Sequence, residues 1–314
     1  MGRIIVLDDA HPVLCEKLRE AGHEVLEEPK MAYEELLSAV ADYEGLVVRS
    51  RVAVDRAVID AGARLRCIGR VGAGMETIDV KYAESKGIRC LNSPEGNRDA
   101  VGEHAVGLLL ALFDNIAAAD REVREGQWRR EANRGMEVKD HTIGIIGYGN
   151  MGTAFAKRLR GFECQVLAYD KYKHGFGDET VREATLEELM EEADVVSLHV
   201  PLTEETRHMV DEKFIEKFAK SISLINTSRG AVVDTAALVE QMKKGKVTGA
   251  ALDVIEYEDM AKDGIRATGE PEPLAWLKQS RKTVLTPHVA GWTVESKYKL
   301  AAVLADKINE VLCS

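Results

Sequence analysis

Three residue types that handle protons and anions stand after strand-like runs in the second half of the chain. "LINTSRGAVVD" presents Arg229, "ALDVIEYED" presents Asp253, Glu256 and Glu258, and "LTPHVAG" presents His288. A guanidinium can hold a carboxylate through paired hydrogen bonds and polarise a neighbouring carbonyl. An imidazole can give a proton to an oxygen gaining negative charge and take it back in reverse. A carboxylate beside that imidazole favours its charged form. Together these are the parts needed to interconvert a 2-oxo acid and a 2-hydroxy acid. Each alone is more often structural, so their weight comes from the combination.

That chemistry needs a hydride, and the sequence offers a place for its carrier. "GIIGYGNMG" sets Gly147, Gly149 and Gly152 in GxGxxG spacing, after the apolar run "HTIGIIG" and before the helical pattern "MGTAFAKRLRGF". Gly147 permits a tight turn, Gly149 lets backbone approach a pyrophosphate, and Gly152 lets helix pack on strand. The next strand, "CQVLAYD", ends in Asp170, where an acid accepts from the adenosine ribose 2′-OH and repels a 2′-phosphate. The implied cofactor is NAD, although Lys171 and Lys173 leave some NADP use open.

These residues need strand ends to present them. Short β-branched runs alternate with amphipathic stretches throughout: "RIIVLD", "HEVLEE", "GLVVRS", "RCIGRV" and "IRCLNS", then "HTIGIIG", "CQVLAYD", "DVVSLHV", "SISLINT", "VTGAALDV" and "KTVLTPH". Such alternation predicts α/β architecture with two doubly wound domains built on parallel sheets. Between them "DAVGEHAVGLLLALFDNIAAADREV" reads as one long helix, apolar on more than one face and so buried against a domain or another subunit. The last helix, "VESKYKLAAVLADKINEVL", has no strand after it and could return to the first domain.

Composition narrows the function classes. The net charge of −11 argues against nucleic-acid or anionic-membrane partners, and any anionic substrate needs locally concentrated positive charge. No apolar run reaches transmembrane length, and the opening "MGRIIVLDDAHPV" reads as a strand rather than a secretory signal. Cys15, Cys67, Cys90, Cys164 and Cys313 show neither CxxC nor metal spacing. Reduced thiols, mostly buried, and a cytoplasmic location are expected, with no metal site.

From about residue 44 to the last helix the chain resembles the D-isomer-specific 2-hydroxyacid dehydrogenases, through "VVRSR", "GRVGAGMETID", "NSPEGNRDAVGEHAVGLLL", "GIIGYGNMG", "LHVPLTEETRHMV", "INTSRGAVVD", "GAALDV" and "LTPHVAG". The resemblance implies that Arg229 binds substrate carboxylate and carbonyl, that His288 is the general acid/base, and that Glu258 is its partner. Glu256 competes for that last role, because the family's usual proline after the glutamate is absent. Asp253 would approach the nicotinamide amide, with Thr227 and Ser228 beside it. Val200, Pro201 and Thr206 would line the adenine and ribose side, and Asn150, Met151 and Gly291 would complete the cofactor set. His199 reads as a strand-end residue near the cofactor rather than a second acid. The amides of Ala73 and Gly74 would meet the substrate carboxylate. The implied architecture is a Rossmann NAD domain (97–291) inserted in a flavodoxin-like substrate domain (1–96 plus 292–314). A homodimer or dimer of dimers through "EHAVGLLLALF", and domain closure on the substrate, are also implied.

The identity of the hydroxy acid rests on arginines. Arg49 and Arg51 flank Ser50 at a strand end and share a face if extended conformation persists. Arg129, Arg130 and Arg134 follow in "QWRREANRG". Arginine forks suit a phosphate, and the D-3-phosphoglycerate dehydrogenases of the family use an arginine at the "RS" position for that purpose. The expected reaction is 3-phosphoglycerate to 3-phosphohydroxypyruvate, the entry to serine synthesis, with substrate contacts from Arg49, Ser50, Arg51 and Arg134. No counterpart of the C-terminal regulatory domain found in many of these enzymes is read after the last helix, so feedback through one is not expected. The alternatives are a glyoxylate or hydroxypyruvate reductase and a dinucleotide-sensing co-repressor. Trp292 departs from the small polar residue usual in the family and reads as an aromatic lid or hinge, more than as a direct substrate contact.

Overall fold

The computed structural model describes residues 2–259, 264–265 and 269–313; Met1, Ser314 and, within the long polar stretch "EYEDMAKDGIRATGEPEP", residues 260–263 and 266–268 lie outside them. The chain divides into two compact units, Met1–Arg98 with Trp292–Ser314, and Asp99–Gly291.

The first unit carries β1 (Arg3–Val6), β2 (Glu24–Glu27), β3 (Gly45–Val48), β4 (Cys67–Arg70) and β5 (Arg89–Asn92) in the order β2-β1-β3-β4-β5. All pairs are parallel. This is the flavodoxin-like order, whose direction reverses between β1 and β3. Alternate side chains enter opposite cores. Ile5, Leu46 and Ile68 pack with Leu36 and Val58, whereas Ile4, Val6, Val47 and Cys67 meet Leu14, Leu18, Leu304 and Ile308. A parallel sheet covered on both faces needs apolar residues at successive positions, which is why the inner strands β1, β3 and β4 read as nearly continuous runs. Leu304 and Ile308 belong to the final helix, Val294–Leu312, whose start Thr293 and Ser296 fix by reciprocal backbone bonds of 2.9 and 3.0 Å.

The second unit holds β6 (Thr142–Ile146), β7 (Gln165–Tyr169), β8 (Arg182–Glu183), β9 (Val195–Leu198), β10 (Ile222–Asn226) and β11 (Val247–Leu252). The short β12 (Glu258–Asp259) and β13 (Gly264–Ile265) form a separate antiparallel pair, and β14 (Thr283–Leu285) joins the main sheet. The sheet order is β14-β11-β10-β9-β6-β7-β8, the Rossmann order extended by a seventh strand, with its reversal between β6 and β9. β8 has only two residues and no apolar run to announce it.

The long helix expected across 99–123 is two helices, Arg98–Phe113 and Ile116–Arg124, bent by 61°. Asn115 breaks it in the left-handed region at φ 53°, a conformation asparagine tolerates better than most residues. Among the described residues no single helix is long and apolar enough to cross a membrane. Cys15 and Cys67 are buried, and burial pushes their thiols up, to about 11 and about 12.

Candidate active site

The glycine turn lies at the sheet reversal of the second unit. Gly147 has φ +93°, and a Cβ there would fall 2.6 Å from the carbonyl oxygen of His199, so the position demands glycine twice over. A Cβ on Gly152 would sit 2.1 Å from the Gly147 oxygen. Around Gly149 the space is open, with no atom within 4 Å of the Cβ position. No side chain caps the helix Asn150–Leu159 that follows. Its opening amides, with half-buried Asn150 and Met151 at its first two positions, form the cradle a pyrophosphate requires.

Asp170 stands one residue past β7. Its carboxylate accepts from the amides of Tyr148 at 2.8 Å, Tyr172 at 2.9 Å and Lys173 at 3.0 Å, which ties the glycine turn to the loop after β7. Lys173 Nζ donates to the Tyr148 carbonyl at 3.0 Å, and Lys171 pairs with Glu205, which also accepts from Tyr172 Oη at 2.7 Å. Both lysines near the acid are therefore engaged. The loop after β9 carries Val200, Pro201 and Thr206, and Thr206 Oγ1 donates to the Pro201 carbonyl at 2.6 Å. His199 contacts Ser197 Oγ through Nε2 at 2.8 Å and tilts against Phe155 with centroids 5.4 Å apart. Its edge keeps some solvent contact, yet enclosure by the protein pushes its imidazole down to about 3. It is neutral at ordinary pH and not an acid.

The second cluster grows from the ends of β10, β11 and β14. Asn226 closes β10 and clamps the next loop. Its Oδ1 accepts from Ser228 N and Oγ at 3.0 and 2.7 Å, and its Nδ2 donates to the Arg229 carbonyl at 3.0 Å. Thr227 and Ser228 are buried, and Arg229 is half-buried with Nη1 donating to the Ser228 carbonyl at 2.6 Å.

His288 sits three residues beyond β14 with φ 55°, held by its amide to the Asp253 carbonyl at 2.7 Å. Its Nδ1 lies 2.6 Å from Glu258 Oε2, and Glu258 Oε1 accepts from the Ile255 amide at 2.9 Å. The carboxylate is an obligate acceptor, so Nδ1 carries the proton and Nε2 is the nitrogen left to face a ligand. Glu256 is engaged elsewhere, with His208 Nε2 at 2.6 Å and with Thr235 N and Oγ1 at 3.2 and 3.0 Å.

Asp253 closes β11's end into the loop that carries His288. It is 1% exposed, and its carboxylate accepts from Thr286 Oγ1 at 2.6 Å and from the Val289 and Ala290 amides at 2.9 Å. Burial would raise this carboxyl, but hydrogen bonds from His104, Thr286, Ala290 and Val289 outweigh it and hold the group below its usual range. Asp253 thus shapes the loop that carries His288 and leads to Gly291. His104, with Nε2 3.1 Å from Thr286 Oγ1, and Asn226 are positioning residues that sequence reasoning passed over. Their signal is spatial, because neither differs from a satisfied structural residue when read along the chain.

In the first unit the predicted substrate residues part company. β3 ends at Val48, so extended conformation does not persist and Arg49 and Arg51 do not share a face. Arg51 turns inward: Nε reaches Asp8 at 3.1 Å, Nη2 the Leu7 carbonyl at 2.6 Å and Nη1 the Met31 carbonyl at 2.9 Å. Its guanidinium braces the β1–β3 reversal. Arg49 keeps its guanidinium 4.6 Å from the centre of the Trp292 ring. Ser50 follows it, half-buried. Ala73 and Gly74 lie in the turn after β4, where the Ala73 carbonyl accepts from Asn92 Nδ2 at 2.6 Å. Arg134, in the second unit, is exposed and pairs with Glu131 at 2.9 Å.

The strand order, glycine cradle and terminal acid define a dinucleotide-binding unit, joined to a histidine–carboxylate pair. Residues 106–290 match the model of the D-isomer specific 2-hydroxyacid dehydrogenase, NAD binding domain. The chain belongs to the D-isomer-specific 2-hydroxyacid dehydrogenase family. It is 37% identical over 308 residues to a D-3-phosphoglycerate dehydrogenase of Archaeoglobus fulgidus, covering 98% of this chain and 56% of that one. The chain therefore spans little more than half the length of that relative. A hydroxypyruvate reductase of Thermotoga maritima is 38% identical over 279 residues, covering 89% of this chain and 88% of its own. The crystal structure of a D-lactate dehydrogenase from Aquifex aeolicus, complexed with NAD and lactic acid, superposes with a TM-score of 0.82 at 26% identity, covering 98% and 94% of the two chains.

Proposed function

We propose that this protein is an NAD-dependent oxidoreductase of D-2-hydroxy acids, with 3-phosphoglycerate and 3-phosphohydroxypyruvate as its substrate pair. The first unit binds substrate and the second binds the dinucleotide. The observation that carries the reading is the 2.6 Å contact between His288 Nδ1 and Glu258. When bound, the nicotinamide would supply the hydride chemistry, its reduced form as donor to carbon 2 of the oxo acid and its oxidised form as acceptor from the hydroxy acid. Arg229 binds the substrate carboxylate and polarises the 2-oxo group, which makes carbon 2 electrophilic. His288 Nε2 gives its proton to the oxygen as the carbonyl becomes an alcohol, and takes it back in oxidation. Glu258 fixes the ring orientation and balances the imidazolium charge. Asn226 and Asp253 hold the Arg229 and His288 loops in place. The Gly147–Gly152 turn and the helix start at Asn150 bind pyrophosphate, while Asp170 serves the ribose hydroxyls and favours NAD over NADP.

Arg49 takes the substrate phosphate in this reading. It is supported by the arginine's place at the carboxyl end of β3, beside the sheet reversal where open α/β sheets bind ligands. A reductase of hydroxypyruvate or glyoxylate is the second reading, favoured by the similarity to the Thermotoga enzyme. Steady-state rates with NADH and 3-phosphohydroxypyruvate, hydroxypyruvate, glyoxylate or pyruvate separate the two. Preference for the phosphorylated acid, lost in Arg49→Ala, is expected. Equal rates with unphosphorylated acids favour the second reading, and no turnover with any acid favours a dinucleotide sensor. A homodimer or dimer of dimers is also proposed, supported by exposed Ile116, Val123 and Trp128, and sedimentation velocity tests it.

A further inference from the structure

We infer that Trp292 is a positioning residue for Arg49, holding the guanidinium plane so that its N–H edge is presented to the anionic end of the substrate. The inference rests on the reading that Arg49 binds that anion, and it names the device that makes the arginine effective.

Arg49 has a fixed backbone and an otherwise unguided side chain. Its amide donates to Asp8, its carbonyl accepts from Arg70 Nε at 3.1 Å, and among the described residues its guanidinium makes no hydrogen bond. A long arginine side chain left in that state samples many rotamers, and an anion must order it on binding. The Trp292 ring, 4.6 Å from the guanidinium carbon, removes much of that freedom. An aromatic face attracts the guanidinium without taking up its hydrogen-bond donors, so orientation is gained without losing hydrogen-bonding capacity.

Trp292 is itself held. Thr293 caps the following helix through Ser296, and that helix buries Leu304 and Ile308 in the first unit's core. The ring is 63% exposed, so core packing does not account for a tryptophan here. Arg51, the other arginine of the strand end, is already engaged by Asp8 and two carbonyls, which leaves Arg49 as the one whose orientation a stacking partner can set.

The test compares Trp292→Ser, Trp292→Phe and Arg49→Ala in the whole protein, using NADH with 3-phosphohydroxypyruvate and with glyoxylate. Trp292→Ser is expected to raise KM for the phosphorylated acid about twofold to fivefold, the range that solvent-exposed cation–π contacts convert to. Its kcat and the pH profile of kcat stay as in the parent, and so does KM for glyoxylate, which has no group for Arg49. Trp292→Phe restores most of the loss. An unchanged KM in Trp292→Ser beside a raised KM in Arg49→Ala overturns this inference alone. An equal rise for both acids does the same. An unchanged KM in Arg49→Ala overturns the reading of Arg49 and this inference with it.

Discussion

Replacing Asp253 by asparagine changes one atom and sets two amides in conflict. The carboxylate accepts from Val289 N on Oδ1 and from Ala290 N on Oδ2, with Thr286 Oγ1 also on Oδ1. An asparagine keeps one acceptor oxygen, so its NH2 group must face one of these donors. One charge-assisted bond worth about 1.5–3 kcal/mol is lost, and one enclosed N–H is stranded at a further ~1–3 kcal/mol. The loop that carries His288 should therefore weaken by about 2.5–6 kcal/mol. Amide exchange at Val289 and Ala290 should accelerate in Asp253→Asn, the melting temperature should fall, and kcat should drop at least about tenfold as His288 loses its placement. Acidity supplies an independent check. The folded carboxyl is held below its ordinary value of 3.8, so the unfolded chain takes up the proton first as pH falls. The stabilisation is complete above that value and lost as pH falls through the folded one. Stability curves of parent and variant should lie apart above pH ~4 and approach each other in stronger acid. Identical melting, exchange and kcat at neutral pH would refute the positioning role.

His288→Asn should leave NADH affinity intact and lower turnover by about 10²–10⁴, measured by cofactor fluorescence and initial rates. Gly149→Ala places its methyl in open space at φ −84° and should fold normally while weakening NADH binding at least about tenfold, whereas Gly152→Ala, 2.1 Å from the Gly147 oxygen, should melt several degrees lower by calorimetry. Glu205→Gln releases Lys171 beside Asp170 and should shift the ratio of NADPH to NADH dissociation constants toward NADPH by about twofold to fivefold, read by titration of each cofactor. His199, held at about 3 when folded, protonates first in the unfolded chain below its ordinary 6.5. Its contribution falls with pH from there to about 3, and His199→Gln should remove up to about 1.4 kcal/mol per pH unit of that slope in acid denaturation.

The sheets were legible because parallel strands buried on both faces must be apolar at successive positions, and the glycine turn because three backbone constraints fall in one short stretch. The two glutamates were not separable in sequence. Glu256 and Glu258 differ by two positions, and only folding gives one to His208 and the other to His288. Arg49 and Arg51 could not be told apart because alternation holds only while a strand lasts, and β3 stops at Val48. The break at Asn115 was hidden by apolar residues on both sides of it. Trp292 stood out as a departure, yet its partner lies 243 positions away, beyond the reach of any local pattern.

The helix Val294–Leu312 also sets a timetable for synthesis. Ile4, Val6, Val47 and Cys67 leave the ribosome before the second unit, but the Leu304 and Ile308 side chains that cover them emerge only after it. The intervening second unit can close around its own sheet while the first still shows an uncovered apolar face. The nascent first unit is then the part most exposed to aggregation, and chaperones have longest to act on it. Shortening the final helix should therefore harm the amino-terminal sheet before it harms the dinucleotide unit.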